Sequence, residues 1–178
     1  MVQTGHLGPD GIDAWASGLR AGYSFATVLT KPRLGLQLDV ASGDRRGSDS
    51  RINTINPLFP NGYYFSLAGY TGYANLIHVK PTFTVSPIPA LTVLAGIGWQ
   101  WRLTTADAVY TQPNTPVSGT AGRGDRWTGL YDQLRVDYRF NPHLTGAIEA
   151  VNFEAGDSLL QVGARNSNYI GVELKYAL

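Results

Sequence analysis

The chain of 178 residues contains no cysteine and a single methionine, and only 15% of its residues are charged. The absence of cysteine excludes disulfide frameworks, thiolate metal sites and cysteine nucleophiles. The charged fraction is low against about 25% for an average soluble domain. The formal net charge of +1 argues against a nucleic-acid partner, because nucleic-acid binders carry a concentrated basic excess.

Long apolar runs and helical periodicity are also missing. No stretch of 18 apolar residues occurs, so the sequence predicts no transmembrane helix. The first residues are polar and rich in glycine and lack an apolar core after a basic segment, so no signal peptide is predicted. We expect a polar N-terminal tail over residues 1–12 and one domain over residues 13–178.

What the sequence has instead is alternation of apolar and polar residues with a period of two, which is typical of strands with two unlike faces. Leu34, Leu36 and Leu38, for example, alternate with Arg33, Gln37 and Asp39. The alternation slips near Val151, which indicates a β-bulge or a barrel rim. Seven strands are clearly visible, and residues 63–70 are a candidate for an eighth. The seven are Ala14–Phe25, Arg33–Val40, Asn75–Val85, Leu91–Thr104, Trp127–Phe140, Leu144–Glu154 and Tyr169–Leu178.

The connections between these strands alternate in length. Residues 26–32, 86–90 and 141–143 are short turns, whereas residues 42–73, 105–125 and 156–168 are long and polar. Short periplasmic turns at one end and long extracellular loops at the other are typical of an outer-membrane β-barrel. The sequence therefore predicts an all-β fold, an antiparallel transmembrane β-barrel meander of about eight strands.

A soluble β-sandwich is the alternative, because alternation alone does not say which face meets water. Three features favour the membrane. The strands have about the length of a tilted membrane span, their polar faces carry glycine, and aromatic residues such as Trp15, Tyr138 and Tyr176 gather near strand ends. The last strand ends the chain, and we expect it to pair with the first strand and close the barrel.

Particular motifs resemble the alginate export family of outer-membrane porins. The segment from Lys31 to Asp44 reads KPRLGLQLDVASGD, and residues 56–62 read NPLFPNG, close to the family's strand and the loop that follows it. Residues 74–81 and the Asp107–Tyr110 stretch are similar to two further family segments. The terminal Leu178 departs from the family's usual phenylalanine.

This resemblance covers most of the chain, from about residue 13 to 178, and matches the C-terminal portion of a family barrel. It implies an outer-membrane location, lipid contact and an anionic polysaccharide as the transported molecule. Full-length family members form barrels of about eighteen strands, so the resemblance leaves open whether this chain is a fragment, a truncated relative or a small barrel that reuses the second half of the family barrel. The sequence also leaves the oligomeric state open.

The polar strand faces supply the candidate site. Seven cations stand against four anions there, which favours anions in a narrow passage. Arginine suits carboxylates such as those of a polyuronate. Charge ladders that only fill a small structural or adhesive barrel are the competing interpretation. The candidate substrate-binding cations are Arg20, Arg33, Lys80, Arg102, Arg135, Arg139 and Lys175. The candidate counter-charges are Asp39, Asp137, Glu149 and Glu173.

Catalysis, cofactors and metals are not predicted. The histidines His6, His78 and His143 lie outside any recognisable nucleophile motif. The loop Ser42–Arg51 holds two acids and three arginines without the ligand spacing of a calcium loop, so we expect a solvated or salt-bridged loop. Nearby Phe59, with its flanking prolines Pro57 and Pro60, is expected to fold inward over the barrel mouth.

Overall fold

A computed structural model describes residues 1–47, 49–66 and 68–178 of the chain. The fold is built from strands, with one short helix before the last of them. The elements are β1 (Val2–Leu7), β2 (Asp10–Ser24), β3 (Arg33–Ala41), β4 (Arg51–Ile52), β5 (Leu76–Ile88), β6 (Leu91–Trp101), β7 (Tyr110–Thr111), β8 (Thr115–Pro116), β9 (Trp127–Arg139), β10 (Leu144–Ala155), α1 (Asp157–Leu160) and β11 (Ser167–Tyr176).

Eight of these strands form an antiparallel meander in the order β1-β2-β3-β5-β6-β9-β10-β11. The small β4 pairs with β2 in parallel, and β7 and β8 form a separate hairpin. Residues 25–32, 89–90 and 140–143 make the connections at one end, and residues 42–75, 102–126 and 156–166 make the long connections at the other. This architecture confirms the predicted antiparallel meander.

Among the described residues, no helix is both long and apolar enough to cross a bilayer.

The two faces of the sheet are the reverse of those in a water-soluble protein. One face, called the inward face below, buries polar side chains, including His78 at 0% and Glu149 at 1% relative exposure. The opposite, outward face exposes apolar side chains, with Ile170 at 77% and Val172 at 75%. A soluble sandwich would bury these apolar residues and expose the charges. The pattern instead has the alternation of a membrane barrel, apolar toward lipid and polar toward the interior.

Aromatic side chains on the outward face cluster at both ends of the strands. Tyr23 packs edge-on against Phe25 at the short-turn end, with 4.9 Å between the ring centroids. At the long-loop end, the rings of Trp101 and Trp127 lie 5.1 Å apart. Trp127 reaches the outward face because the register between β6 and β9 shifts at Gln100/Trp101. Such aromatic girdles mark the two membrane interfaces of barrels.

The structure departs from the sequence prediction at the N-terminus. The sequence predicts a polar tail over residues 1–12, but Val2–Leu7 forms β1 and pairs with the first part of β2. The positive φ of Gly8, 61°, allows the tight turn between them. Residues 63–66 and 68–70, the candidate eighth strand, form turns and irregular structure instead. The eighth strand of the meander is therefore β1.

Of the two interpretations of the slip near Val151, a β-bulge or a barrel rim, the β-bulge is wrong. The pairing of β10 with β9 runs without a shift from Thr145 to Ala155. The alternation looks broken because the inward face changes chemistry at this point. Val151 and Phe153 both point inward and are buried beneath the long loops with Tyr131 and Leu159. True register shifts lie in β5, between Val85 and Ile88, and between β6 and β9.

The expected pairing of the last strand with the first is also absent among the described residues. β11 pairs with β10, and residues 16–24 of β2 pair with β3, which leaves one edge open on each of these strands. The accessible surface of 10490 Å² exceeds the roughly 8,500 Å² expected for a compact protein of this mass. The sheet is thus an open meander with two free edges.

Candidate functional site

The inward face holds a cationic cleft of about 370 Å³. Arg20 of β2, Arg33 of β3, Lys80 of β5 and Arg135 of β9 line it together with Glu149 of β10. Five strand-to-strand steps separate β2 from β10, which a flat sheet would hold about 24 Å apart. Since both strands line one cleft, the sheet curves strongly around it. Four of the seven predicted cations therefore converge on one space.

A segment of the first long loop, residues 63–66, covers one side of this cleft and is called the inward segment below. Lys80, only 5% exposed, donates from Nζ to the Phe65 carbonyl oxygen at 2.5 Å and to Gln133 Oε1 at 3.1 Å. Arg20 donates to the Tyr64 carbonyl oxygen at 3.3 Å and lies over the Tyr64 ring, 4.6 Å from its centroid. Lys80 and Arg20 thus bind the inward segment through its carbonyl oxygens.

Phe65 and Ile55 anchor this loop, both almost completely buried among apolar neighbours. The sequence prediction that Phe59 folds inward and anchors the loop is wrong, because Phe59 is 93% exposed. Nothing in the local sequence separates Phe59 from Phe65. The difference arises because Phe65 reaches Tyr64, Tyr73 and the His78 ring across the inward face.

A buried polar network joins the strands behind the inward segment. His78 Nδ1 lies 2.9 Å from Asp39 Oδ2, and His78 Nε2 lies 3.0 Å from the Tyr131 hydroxyl. Tyr64 donates its hydroxyl to Asp39 Oδ1 at 2.7 Å, and Gln37 donates to Asp39 Oδ2 at 2.8 Å. Burial, then the hydrogen bond to Asp39, raises the pKa of Tyr64 to about 12, so its hydroxyl remains a donor.

The sequence prediction named Asp39 as a candidate counter-charge to the cations. It gave no role to the other members of this network, His78, Tyr131, Tyr64 and Gln37. The period of two does place His78 on the same face as Lys80, which was the available signal. The partners of His78 come from strands distant in the chain, so the sequence offered no view of the network itself.

Arg135 connects the cationic cleft to a second polar cleft of about 300 Å³ toward the short turns. Its guanidinium binds Asp137 at 2.8 Å and lies 3.5 Å from both Glu149 and Glu173. Lys175 pairs with Glu173 at 2.7 Å. Arg139 lines the second cleft and donates to the Pro89 carbonyl oxygen. The predicted residues near the short turns thus form a mixed charge ladder in which Arg135 and Lys175 are paired with acids.

Arg102 lies apart from the other predicted cations. It follows the end of β6 and is 1% exposed within the second long loop. Its guanidinium donates to five backbone carbonyls of that loop, at distances of 2.6 to 3.5 Å, namely those of Thr105, Asp107, Thr120, Arg123 and Asp125. These bonds occupy both terminal nitrogens of the guanidinium, which the sequence prediction reserved for substrate, whereas the buried Nε makes no hydrogen bond among the described residues. Arg102 therefore organises a loop, because the strand ends one residue before it.

The motifs that carry the family resemblance meet at the base of the long loops. Asp107 Oδ2 accepts from the Asp44 backbone N–H at 2.8 Å and from the Thr54 hydroxyl at 2.5 Å. Asn75 donates to the Thr104 and Ala108 carbonyl oxygens, each at 2.9 Å. Asp107 Oδ1 also accepts from Tyr110, whose pKa is raised by burial and by the Asp107 charge. These motif residues fasten the first and second long loops to each other.

Comparison with known proteins agrees with this arrangement. The family model described as alginate export matches residues 1–173 of the chain. None of the curated proteins compared with the chain matches it. The family match begins before β1 and continues to residue 173, within β11. The antiparallel meander, the reversed faces and this match together show that the chain belongs to the alginate export family of outer-membrane β-barrel transport proteins.

Proposed function

We propose that this chain lines a passage through which an anionic polysaccharide crosses the outer membrane. The cationic cleft on the inward face carries the proposal, because four cations face it against the single acid Glu149. A cationic lining in a narrow space of low dielectric attracts anions and raises their local concentration. The family match supplies the polysaccharide class, since the matched family is one of alginate export.

The chemistry of the cleft suits a polyuronate. Arg20 and Arg33 are exposed within it, and a guanidinium binds a carboxylate with two parallel hydrogen bonds. Charge-assisted bonds of this kind are stronger than the neutral-acceptor bonds that the Tyr64 and Phe65 carbonyls now make to Arg20 and Lys80. A uronate carboxylate that enters the cleft therefore competes well for both cations.

Planar-bilayer recording of the purified protein tests the proposal. We expect conductance that favours anions and is blocked by a short oligouronate. The double variant Arg20→Gln/Arg33→Gln should weaken that block by about tenfold, the equivalent of about 1.4 kcal/mol of binding. The matched control is Arg123→Gln, an exposed arginine of the second long loop. Cation-selective conductance, or block that is unchanged in the double variant, would contradict the proposal.

A structural or adhesive barrel without transport is the second candidate, and one observation favours it. The inward segment and the network around Asp39 and His78 fill one end of the inward face. This candidate expects no conductance from wild-type protein. It also expects surface binding that is lost when the long loops are replaced and is unaffected by Arg20→Gln/Arg33→Gln.

A further inference from the structure

A further cleft with excess positive charge, called the outer cleft below, lies on the outside of the sheet, away from the inward face. It has a volume of about 280 Å³ and forms where the first long loop meets the upper part of β2. Arg45, Arg46 and Arg51 line it, together with Trp15 and Leu103. None of these residues takes part in the passage proposed above.

The three arginines are exposed and available for a ligand. Among the residues that the structure describes, all except 48 and 67, none is bound to these three guanidinium groups by a side-chain hydrogen bond or an ion pair. Two acids, Asp13 and Asp49, also line the cleft, so positive charge exceeds negative charge there. Three unpaired guanidinium groups around one cleft form a site for an anion with several oxygen atoms, because each fork binds two of them.

The floor of the cleft belongs to the surface that faces lipid. Trp15 shares the outward side of β2 with Leu19 and Tyr23, and it is 37% exposed. Leu103 follows two residues after Trp101, whose ring packs against that of Trp127 in the aromatic girdle. The arginines therefore stand immediately above the girdle, on the long-loop side. This is the level at which the headgroups of the outer leaflet lie against a barrel.

We propose that this cleft binds the phosphate groups of a glycolipid in the outer leaflet of the membrane. Arg45, Arg46 and Arg51 hold the phosphates, while Trp15 and Leu103 contact the sugar and the start of the acyl chains. Tryptophan suits this place because its ring is apolar on its faces and its N–H donates to polar headgroups. The arginines thereby fix the height of the first long loop above the bilayer.

Position decides between this ligand and the transported polysaccharide. A polyuronate in transit contacts the inward face, where Arg20, Arg33 and Lys80 lie. The outer cleft opens on the opposite side of the same sheet, between a lipid-facing tryptophan and the loop above it. Its anion therefore comes from the membrane.

Native mass spectrometry of the purified protein in detergent tests this assignment, with a diphosphorylated, acylated glucosamine disaccharide as the probe. We expect wild-type protein and the control Arg123→Gln to retain the lipid. The triple variant Arg45→Gln/Arg46→Gln/Arg51→Gln should lose at least about tenfold in retention, since it removes every charged donor of the cleft. The same lipid without its phosphates should not be retained by wild-type protein.

Competition separates the sources of the anion. Displacement of the lipid by millimolar inorganic phosphate would reassign the cleft to free anions and overturn the proposal. Displacement by a short oligouronate would assign it to the polysaccharide and overturn it equally. Heat-modifiable gel mobility reports whether the triple variant folds; if it does not, the three single variants are compared, and retention unchanged in all of them overturns the proposal. None of these outcomes depends on conductance, so the export proposal stands or falls separately.

Discussion

At the scale of single residues, the family motifs act through close backbone contacts between the long loops. Gly43 is the sharpest case, because a side chain at this position would lie 2.5 Å from Cβ of Asn75. Asn75 cannot retreat without breaking its hydrogen bonds to the Thr104 and Ala108 carbonyl oxygens. The space at position 43 therefore admits only glycine. This explains physically one residue of the Lys31–Asp44 motif that carries the family resemblance.

We expect Gly43→Ala to destabilise the protein by about 1–3 kcal/mol, the usual cost of forcing an extra methyl group into a packed site. Urea unfolding in lipid vesicles measures this change, and limited proteolysis should show the two long loops cut faster. The matched control is Gly47→Ala in the same loop, because nothing lies within 4 Å of the added Cβ there. Equal stability of the two variants would show that Asn75 can move.

At the scale of the elements, the strands could be predicted from the sequence, whereas the contacts between the long loops at the strand ends could not. Alternation identified β2, β3, β5, β6, β9, β10 and β11 because apolar side chains recur at every second position over most of the outward side of each strand. It missed β1, whose residues Val2–Leu7 carry no alternating apolar face. It could not foresee the contact between Asp44 and Asp107, which lie 63 residues apart. Such contacts depend on how the loops return across the inward face, and local periodicity does not encode that.

The same alternation predicts where a charge is costly. Ile148 lies on the outward side of β10, paired with Val136 of β9 and Val172 of β11, and is 56% exposed. We expect Ile148→Arg to lower the free energy of unfolding in a bilayer by about 2–4 kcal/mol, because the guanidinium would face hydrocarbon. The control is Leu58→Arg, since Leu58 is 69% exposed in a long loop. Vesicle unfolding titrations that give equal losses for the two variants would mean that β10 faces water.

At the scale of the whole molecule, the two free edges limit how the sheet can close. Strands alternate in direction along the meander, so β2 and β11, the first and last of seven long strands, run the same way. Direct pairing of these two strands would be parallel, unlike every neighbouring pair on the main path. Backbone groups at an open edge have no partner in hydrocarbon, so in a bilayer each of these two edges needs an antiparallel partner strand.

Amide hydrogen exchange of the isolated chain in detergent checks this reasoning. We expect the amides of β11 that point away from β10, and those of residues 17–24 that point away from β3, to exchange fast. The central strands β5, β6 and β9 serve as internal controls, because each is paired on both sides and should be protected along its length. Uniform slow exchange along β11 would mean that the chain closes on itself. In that case the two edges meet within one molecule, and the cationic cleft is enclosed by this chain alone.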